Sequence, residues 1–72
     1  MSKEEFLIEM QDVLQTEVEL TMDTILDNLD EWDSLSMMST VAFLGKNFGV
    51  SLKLADFKEM NTIGDIAAKA GL

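Results

Sequence analysis

Apolar side chains recur at three- and four-residue spacing through the middle of the chain, and this run stops at a glycine. One face of the predicted helix carries four of them: Met37, Val41, Leu44 and Phe48. Such a stripe is typical of a helix that buries one side against a core. Gly49 directly follows the stripe and is a preferred residue for ending a helix. The spacing therefore predicts a central helix over residues 34–48, with a second apolar row offset around it, formed by Leu35, Met38 and Ala42.

Two further helices are predicted from their first residues. Ser2 precedes an apolar-periodic segment and has Glu5 three residues later, which is the spacing of a capping box. A helix over residues 3–14 follows from this. Thr62 and Asp65 repeat the same spacing at the start of a segment whose apolar side is formed by Ile63, Ile66 and Ala67. This predicts a last helix, which ends at Gly71.

The remaining segments predict connections rather than strands. Residues 15–33 read as a long loop with one helical turn, fixed to the core by its scattered apolar residues. Val50, Leu52 and Leu54 alternate with polar residues, but no second strand is present to pair with them. An extended connector and a short helix over residues 56–60 are expected instead. The predicted fold is all-α: one domain, residues 1–72, forming a small four-helix bundle with a long first loop and a short third helix.

Charge limits the classes of partner and site. The 72 residues include 5 lysines and 14 acidic residues, for a net charge of −9. This balance disfavours nucleic acid and anionic lipid as partners and favours a monomer. No apolar run approaches the roughly 20 residues that span a bilayer, so no membrane insertion and a cytoplasmic location are expected. The acidic residues of the loop are spaced too irregularly for a calcium-binding loop, so no metal site is predicted.

Ser34 stands out because the chain contains no Cys and no His, the usual nucleophile and general base. It follows a long acidic loop at the predicted start of the central helix, where backbone N–H groups and the helix dipole favour a phosphate. The position indicates a serine that another enzyme modifies. A plainer interpretation is that Ser34 or Asp33 caps the helix, and Trp32 covers the end of the core.

Three landmarks together resemble the acyl carrier protein family over essentially the whole chain. These are Glu31-Trp32-Asp33-Ser34-Leu35 before the central helix, Phe48-Gly49-Val50 after it, and Asn61-Thr62-Ile63-Gly64-Asp65-Ile66 at the last helix. The resemblance implies that Ser34 receives 4′-phosphopantetheine from coenzyme A through a phosphopantetheinyl transferase. It further implies that Asp33 orients the site and that the chain has no catalytic residues of its own. An acyl- or amino-acid-activating ligase and acyltransferases are the other implied partners.

The central helix departs from the pattern of carriers that serve bulk fatty-acid synthesis, which display acidic residues there. Residues 34–48 contain no Asp or Glu, and Lys46 stands where an acid is usual. The Trp-Asp-Ser-Leu version instead resembles dedicated carriers of specialised pathways. We expect a docking row for a dedicated partner near the arm, formed by Leu35, Met38 and Ala42 with Asp30 and Glu31 at its rim. The alternative for this row is an extension of the core.

Two other functions stay open at this point. An aminoacyl or peptidyl carrier would share the fold and the serine, and nothing in the sequence separates it from an acyl carrier. An unmodified helical interaction module would use the bundle only as a binding surface, and Ser34 would then be only a cap.

Overall fold

The computed structural model describes residues 1–72 as helices joined by extended connections. Its α-helices are α1 (Lys3–Leu14), α2 (Ser34–Phe48) and α3 (Ile63–Lys69), and its 3-10 helices are η1 (Leu26–Asn28) and η2 (Leu54–Glu59). The bundle consists of α1, α2, η2 and α3, and η1 lies within the long connection. The predicted all-α, four-helix fold with a short third helix is confirmed, whereas the assignment of residues 1–72 to one domain stays a prediction.

The first helix begins and ends as its local sequence dictates. The Ser2 hydroxyl accepts the Glu5 N–H at 3.1 Å, and the Glu5 carboxylate accepts the Ser2 N–H at 3.2 Å. This reciprocal pair satisfies two N–H groups that a helix start otherwise leaves without partners. The helix ends at Gln15, whose backbone is left-handed with φ 53°. The predicted span of residues 3–14 is confirmed.

The long connection is held against the start of α3 by its backbone. The Leu26 N–H donates to the Asn61 carbonyl at 2.9 Å, and the Ile63 N–H donates to the Thr24 carbonyl at 3.0 Å. Gly64 extends this contact by donating its N–H to the Met22 carbonyl at 2.8 Å. Three buried leucines of the connection also enter the core: Leu20, Leu26 and Leu29. The loop is therefore ordered by both polar and apolar contacts.

The inward face of α2 differs in part from the predicted stripe. Leu44 is fully buried, but Met37, Val41 and Phe48 are only partly buried along the edges of the core. The centre of this face is formed by Ser36, Thr40 and Leu44. The Thr40 hydroxyl is satisfied there because it donates to the Ser36 carbonyl at 2.8 Å. Since both polar residues are small and bonded locally, they can occupy core positions that apolar spacing alone assigns elsewhere.

The second half of the chain closes the bundle. No strand forms at residues 50–54, as predicted, and η2 begins at Leu54, two residues before the predicted start. Phe57 of η2 and Met60 are buried in the core. The cap predicted at Thr62 is confirmed, because its hydroxyl accepts the Asp65 N–H at 3.1 Å. The face that α3 buries consists of Ile63, Ile66 and Ala67.

Candidate functional site

The start of α2 is built by Asp33 and Ser36. One carboxylate oxygen of Asp33 accepts the Ser36 N–H at 2.9 Å, and the Ser36 hydroxyl accepts the Asp33 N–H at 2.9 Å. The Ser36 hydroxyl also donates to the Asp33 carbonyl at 3.0 Å. Asp33 itself is extended, with φ −142° and ψ −175°, which is the usual backbone of a capping residue. Asp33, and not Ser34, is therefore the helix cap.

Ser34 is the first residue inside α2, and its side chain is exposed. Its hydroxyl takes no part in the cap, which uses only groups of Asp33 and Ser36. The first four N–H groups of a helix have no partner within it. Of these four, the Asp33 and Ser36 N–H groups are taken by the cap, which leaves those of Ser34 and Leu35 for a ligand. An accessible hydroxyl thus lies beside free donors at the positive end of the helix dipole.

The turn that precedes Ser34 carries two acidic residues and an aromatic one. Asp30 is exposed and Glu31 is partly exposed, in a turn closed by the Trp32 N–H donating to the Leu29 carbonyl at 3.1 Å. The Trp32 ring meets Phe57 edge to face, with ring centroids 5.3 Å apart. Trp32 is half-buried and packs against the core, as expected of an aromatic cover. This stacking fixes the loop directly before the cap.

The predicted docking row lies outside the core. Leu35 is 74% exposed and Met38 is 58% exposed, and Ala42 is also exposed. These values rule out the alternative that the row extends the core. Beside the row, a shallow apolar groove of about 280 Å³ runs between α2 and the connector to η2, lined by Met38, Val41, Leu52 and Leu54.

A second groove near Ser34 was not expected from the sequence. It has a volume of about 320 Å³ and separates the end of α1 from the start of α2. Its lining includes Gln15 and Ser39 as well as the cap residues Asp33 and Ser36. The spacing of Asp33 and Ser36 is that of a capping box with serine in the third place, which is the one signal that could have identified Ser36. No spacing links Gln15 to the site, because the two helices meet only in the folded chain.

The surroundings of Ser34 contain no cluster of metal-ligating side chains. The structure has no group of three or more Cys, His, Asp or Glu side chains placed to hold a metal ion. Backbone hydrogen bonds at other helix starts lower the pKa of two carboxyls, that of Glu5 through the Ser2 N–H and that of Asp65 through the Asn61 and Thr62 N–H groups. None of the helices combines the length and apolar character that a bilayer-spanning helix requires.

Residues 5–69 match the family model described as the phosphopantetheine attachment site. The chain belongs to the phosphopantetheine-attachment family. It is a phosphopantetheine-bearing carrier protein, and 4′-phosphopantetheine is its covalent prosthetic group. Carriers of this family interact with phosphopantetheinyl transferases and with biosynthetic enzymes.

The fold of this carrier is similar to that of holo acyl carrier protein from Geobacter metallireducens, solved by solution NMR. The TM-score is 0.74 at 23% sequence identity, over 94% of this chain and 79% of that one. No curated protein sequence matches the carrier.

Proposed function

We propose that Ser34 carries the phosphopantetheine arm and that the arm holds acyl or aminoacyl groups as thioesters. The observation that supports this most directly is that Asp33 caps α2, which leaves the Ser34 hydroxyl free. The arm supplies the thiol that the chain, which has no cysteine, lacks. The free N–H groups of Ser34 and Leu35 suit the phosphodiester that would be attached there.

Asp33 acts in this proposal as a positioning residue. Its carboxylate is held by the Ser36 N–H at 2.9 Å through one oxygen, and the second oxygen makes no hydrogen bond within the chain. That oxygen would orient the serine or the metal ion of the transferase during loading. The base and Mg²⁺ would come from the transferase, and the carrier would have no catalytic activity of its own.

The exposed row of Leu35, Met38 and Ala42 would dock the partner enzymes, with Asp30 and Glu31 at its rim. A contiguous group of exposed apolar side chains is typical of an interaction surface. The expected partners are a phosphopantetheinyl transferase, an acyl- or amino-acid-activating ligase and acyltransferases. The net charge of −9 supports the exclusion of nucleic acid. A monomeric state and a cytoplasmic location stay predictions.

A specialised pathway is supported by the charge of α2. Residues 34–48 carry Lys46 and no acidic residue. Complementary charge governs both the encounter of a carrier with an enzyme and the rejection of other enzymes. A carrier without acids on α2 would therefore be served by enzymes different from those that recognise acidic carriers.

Intact-mass measurement tests the attachment site. The chain is incubated with coenzyme A, Mg²⁺ and a broad-specificity phosphopantetheinyl transferase, alongside Ser34→Ala. Ser39→Ala is the matched control, because Ser39 is another exposed serine on the same helix. We expect one phosphopantetheine on the wild type and on Ser39→Ala, and none on Ser34→Ala. A folded wild type that gains no mass with several transferases would leave the unmodified interaction module as the better function.

A further inference from the structure

The charges of this chain are divided sharply between two regions. Residues 34–55, which form α2 and the connector after it, contain two lysines and no acidic residue. The other 50 residues contain three lysines and all 14 acidic residues. The net charge of −9 is thus the sum of +2 for residues 34–55 and −11 for the other residues. A surface so different from the rest of the molecule presents a different electrostatic field to a partner.

Both lysines of this region lie close in sequence to its exposed apolar residues. Lys46 follows Ala42 by four residues and Met38 by eight, so the three share one face of α2. Lys53 lies between Leu52 and Leu54, two residues that line the shallow groove against Met38. Both lysines are exposed. We call the surface formed by Leu35, Met38, Ala42, Lys46 and Lys53 the docking face.

The acidic residues near Ser34 and the lysines of the docking face lie at opposite ends of α2 and act independently. Asp30, Glu31 and Asp33 lie at the end near Ser34, and Lys46 lies 12 residues along α2 from that serine. At the rise of an α-helix this separation is about 18 Å. The screening length in physiological salt is about 8 Å, so the acidic end does little to neutralise the field around Lys46. A partner therefore meets the two ends as separate sites.

One acidic group lies close to the basic end. The Asp56 carboxylate, in η2, accepts the backbone N–H of Lys53 at 2.8 Å. That bond engages the backbone of Lys53 and not its ammonium, and Lys46 has no acidic residue in its own helix. The basic character of this end consequently rests mainly on Lys46, with Lys53 adding to it.

We propose that the docking face fits enzymes whose contact surface is apolar at its centre and acidic where it meets Lys46 and Lys53. The same lysines turn away enzymes whose surface is basic at that place, because like charges in contact oppose association. The inference rests on the proposed function, since the enzymes concerned act on the arm at Ser34. It adds the sign of the charge that the partner surface carries, which an apolar row alone does not define.

A charge-swap cycle tests this polarity directly. One probe is a phosphopantetheinyl transferase with a basic carrier-binding surface, and the other is the same transferase with its basic residue facing α2 replaced by Glu. The kcat/KM of arm transfer from coenzyme A is measured at low and at physiological salt. The carriers are the wild type, Lys46→Glu, Lys53→Glu and the double variant. Lys69→Glu is the matched control, because Lys69 is exposed on α3, outside the docking face.

With the basic transferase we expect Lys46→Glu to raise kcat/KM roughly ten-fold at low salt, and the gain to shrink as salt is added. With the transferase whose basic residue is replaced by Glu, the wild type should have a higher kcat/KM than Lys46→Glu by a similar factor. Lys69→Glu should behave as the wild type with both. Lys46 lies in the last turn of α2, where a cation favours the helix, so Lys53→Glu, at the residue that precedes η2, serves as the variant outside α2.

Equal rates across the cycle overturn the proposal, although the attachment of the arm would still stand. If a folded wild type accepts no arm from either transferase, the proposed function fails as well. Two other occupants of the docking face are also detected. Dimers in sedimentation that the double variant dissociates would assign the face to a second copy of the chain. Binding to anionic vesicles that the double variant abolishes would assign it to a membrane, and either result overturns the proposal.

Discussion

Asp33 and Ser36 cap α2 by exchanging hydrogen bonds, each accepting the backbone N–H of the other at 2.9 Å. The two residues enclose Ser34 and Leu35 in sequence, yet neither of those residues takes part in the exchange. The start of α2 is therefore stable without the Ser34 hydroxyl. A modification at this position should leave the helix intact, because it removes no contact that the helix needs.

This arrangement predicts that Asp33→Ala destabilises the protein while Ser34→Ala does not. Loss of a capping side chain costs about 1 kcal/mol. Ala is the better helix former at position 34, so that substitution should change stability by less than about 0.5 kcal/mol. Urea denaturation of the apo protein at neutral pH measures both values. Asp33→Asn keeps a capping oxygen and should lie close to the wild type. An equal loss in Ser34→Ala and Asp33→Ala would mean that Ser34 shares the capping role.

The local signals in the sequence predict most of the helix boundaries. Ser2 and Thr62 each begin a helix through a capping box, and Gly49 ends α2 with φ 67°. Each of these signals involves residues at most four positions apart, so the chain defines them before it folds. The sequence alone left open whether the row of Leu35, Met38 and Ala42 extends the core, and its exposure is seen only in the folded chain.

The sequence did not predict features that depend on contacts between distant segments. It also did not predict which small polar side chains are buried. Ser36 and Thr40 occupy the centre of the inward face of α2, although serine and threonine are more often exposed. The link between Met22 and Gly64 joins residues 42 positions apart, and no periodicity marks it. The groove between Gln15 and Ser39 likewise exists only once α1 and α2 are packed together.

Gly64 should not tolerate a side chain. An alanine Cβ at this position would lie 2.8 Å from the Met22 carbonyl oxygen, which also accepts the Gly64 N–H. Because the Met22 carbonyl and the Gly64 N–H both belong to the backbone, neither can turn aside as a side chain could. The long connection or α3 would have to move. We expect Gly64→Ala to lower the free energy of unfolding by about 1–3 kcal/mol. The loss should be measurable by urea denaturation, with faster hydrogen exchange at the Ile63 and Leu26 amides.

Gly45→Ala is the matched control for this steric effect. Its Cβ would lie 3.7 Å from the Val50 carbonyl oxygen, an ordinary contact distance. In the middle of an α-helix, Ala is favoured over Gly by roughly 0.5–1 kcal/mol, so this variant should be more stable than the wild type. Destabilisation by both substitutions would indicate a general intolerance of α2 and α3 to larger residues and would contradict the steric explanation.

The residues that follow α1 and α2 both have a left-handed backbone. We therefore expect removal of the side chain at the first and addition of one at the second to have opposite effects on stability. Gln15 and Gly49 occupy equivalent positions, with φ 53° and φ 67°. A residue with a Cβ is disfavoured in this conformation by roughly 1–2 kcal/mol, partly offset by the greater freedom of glycine in the unfolded chain. Gln15→Gly should therefore stabilise the protein by about 0.5–1 kcal/mol, and Gly49→Ala should destabilise it by about 1 kcal/mol. No atom lies within 4 Å of a Cβ at Gly49, so that loss would report backbone strain alone.

Chemical denaturation of the two variants at the same pH measures this pair of effects. A gain from Gln15→Gly would show that the native glutamine is kept at the expense of stability, in agreement with its place beside the groove near Ser34. If both variants were destabilised, the Gln15 side chain would have to make a stabilising contact that outweighs its backbone strain.

Asp65 should make the stability of the protein depend on acid pH. Hydrogen bonds from the Asn61 N–H, at 2.8 Å, and from the Thr62 N–H, at 3.1 Å, hold the pKa of this carboxyl below its ordinary value. Because the folded-state pKa is lowered, the ionised carboxylate stabilises the fold above the unfolded pKa of about 3.9. This contribution is lost as the pH falls through the lower, folded-state value.

Denaturation of the wild type and Asp65→Asn across pH 2 to pH 7 tests this dependence. The wild type should be the more stable protein near neutral pH, and the gap between the two should close as the pH falls below about 4. Glu9→Gln is the control, since it removes one charge from an exposed position in the middle of α1. It separates the loss of the cap from the general relief of repulsion in a chain of net charge −9. A gap between wild type and Asp65→Asn that stays constant over the whole range would mean that the ionised carboxylate is not what fixes the start of α3.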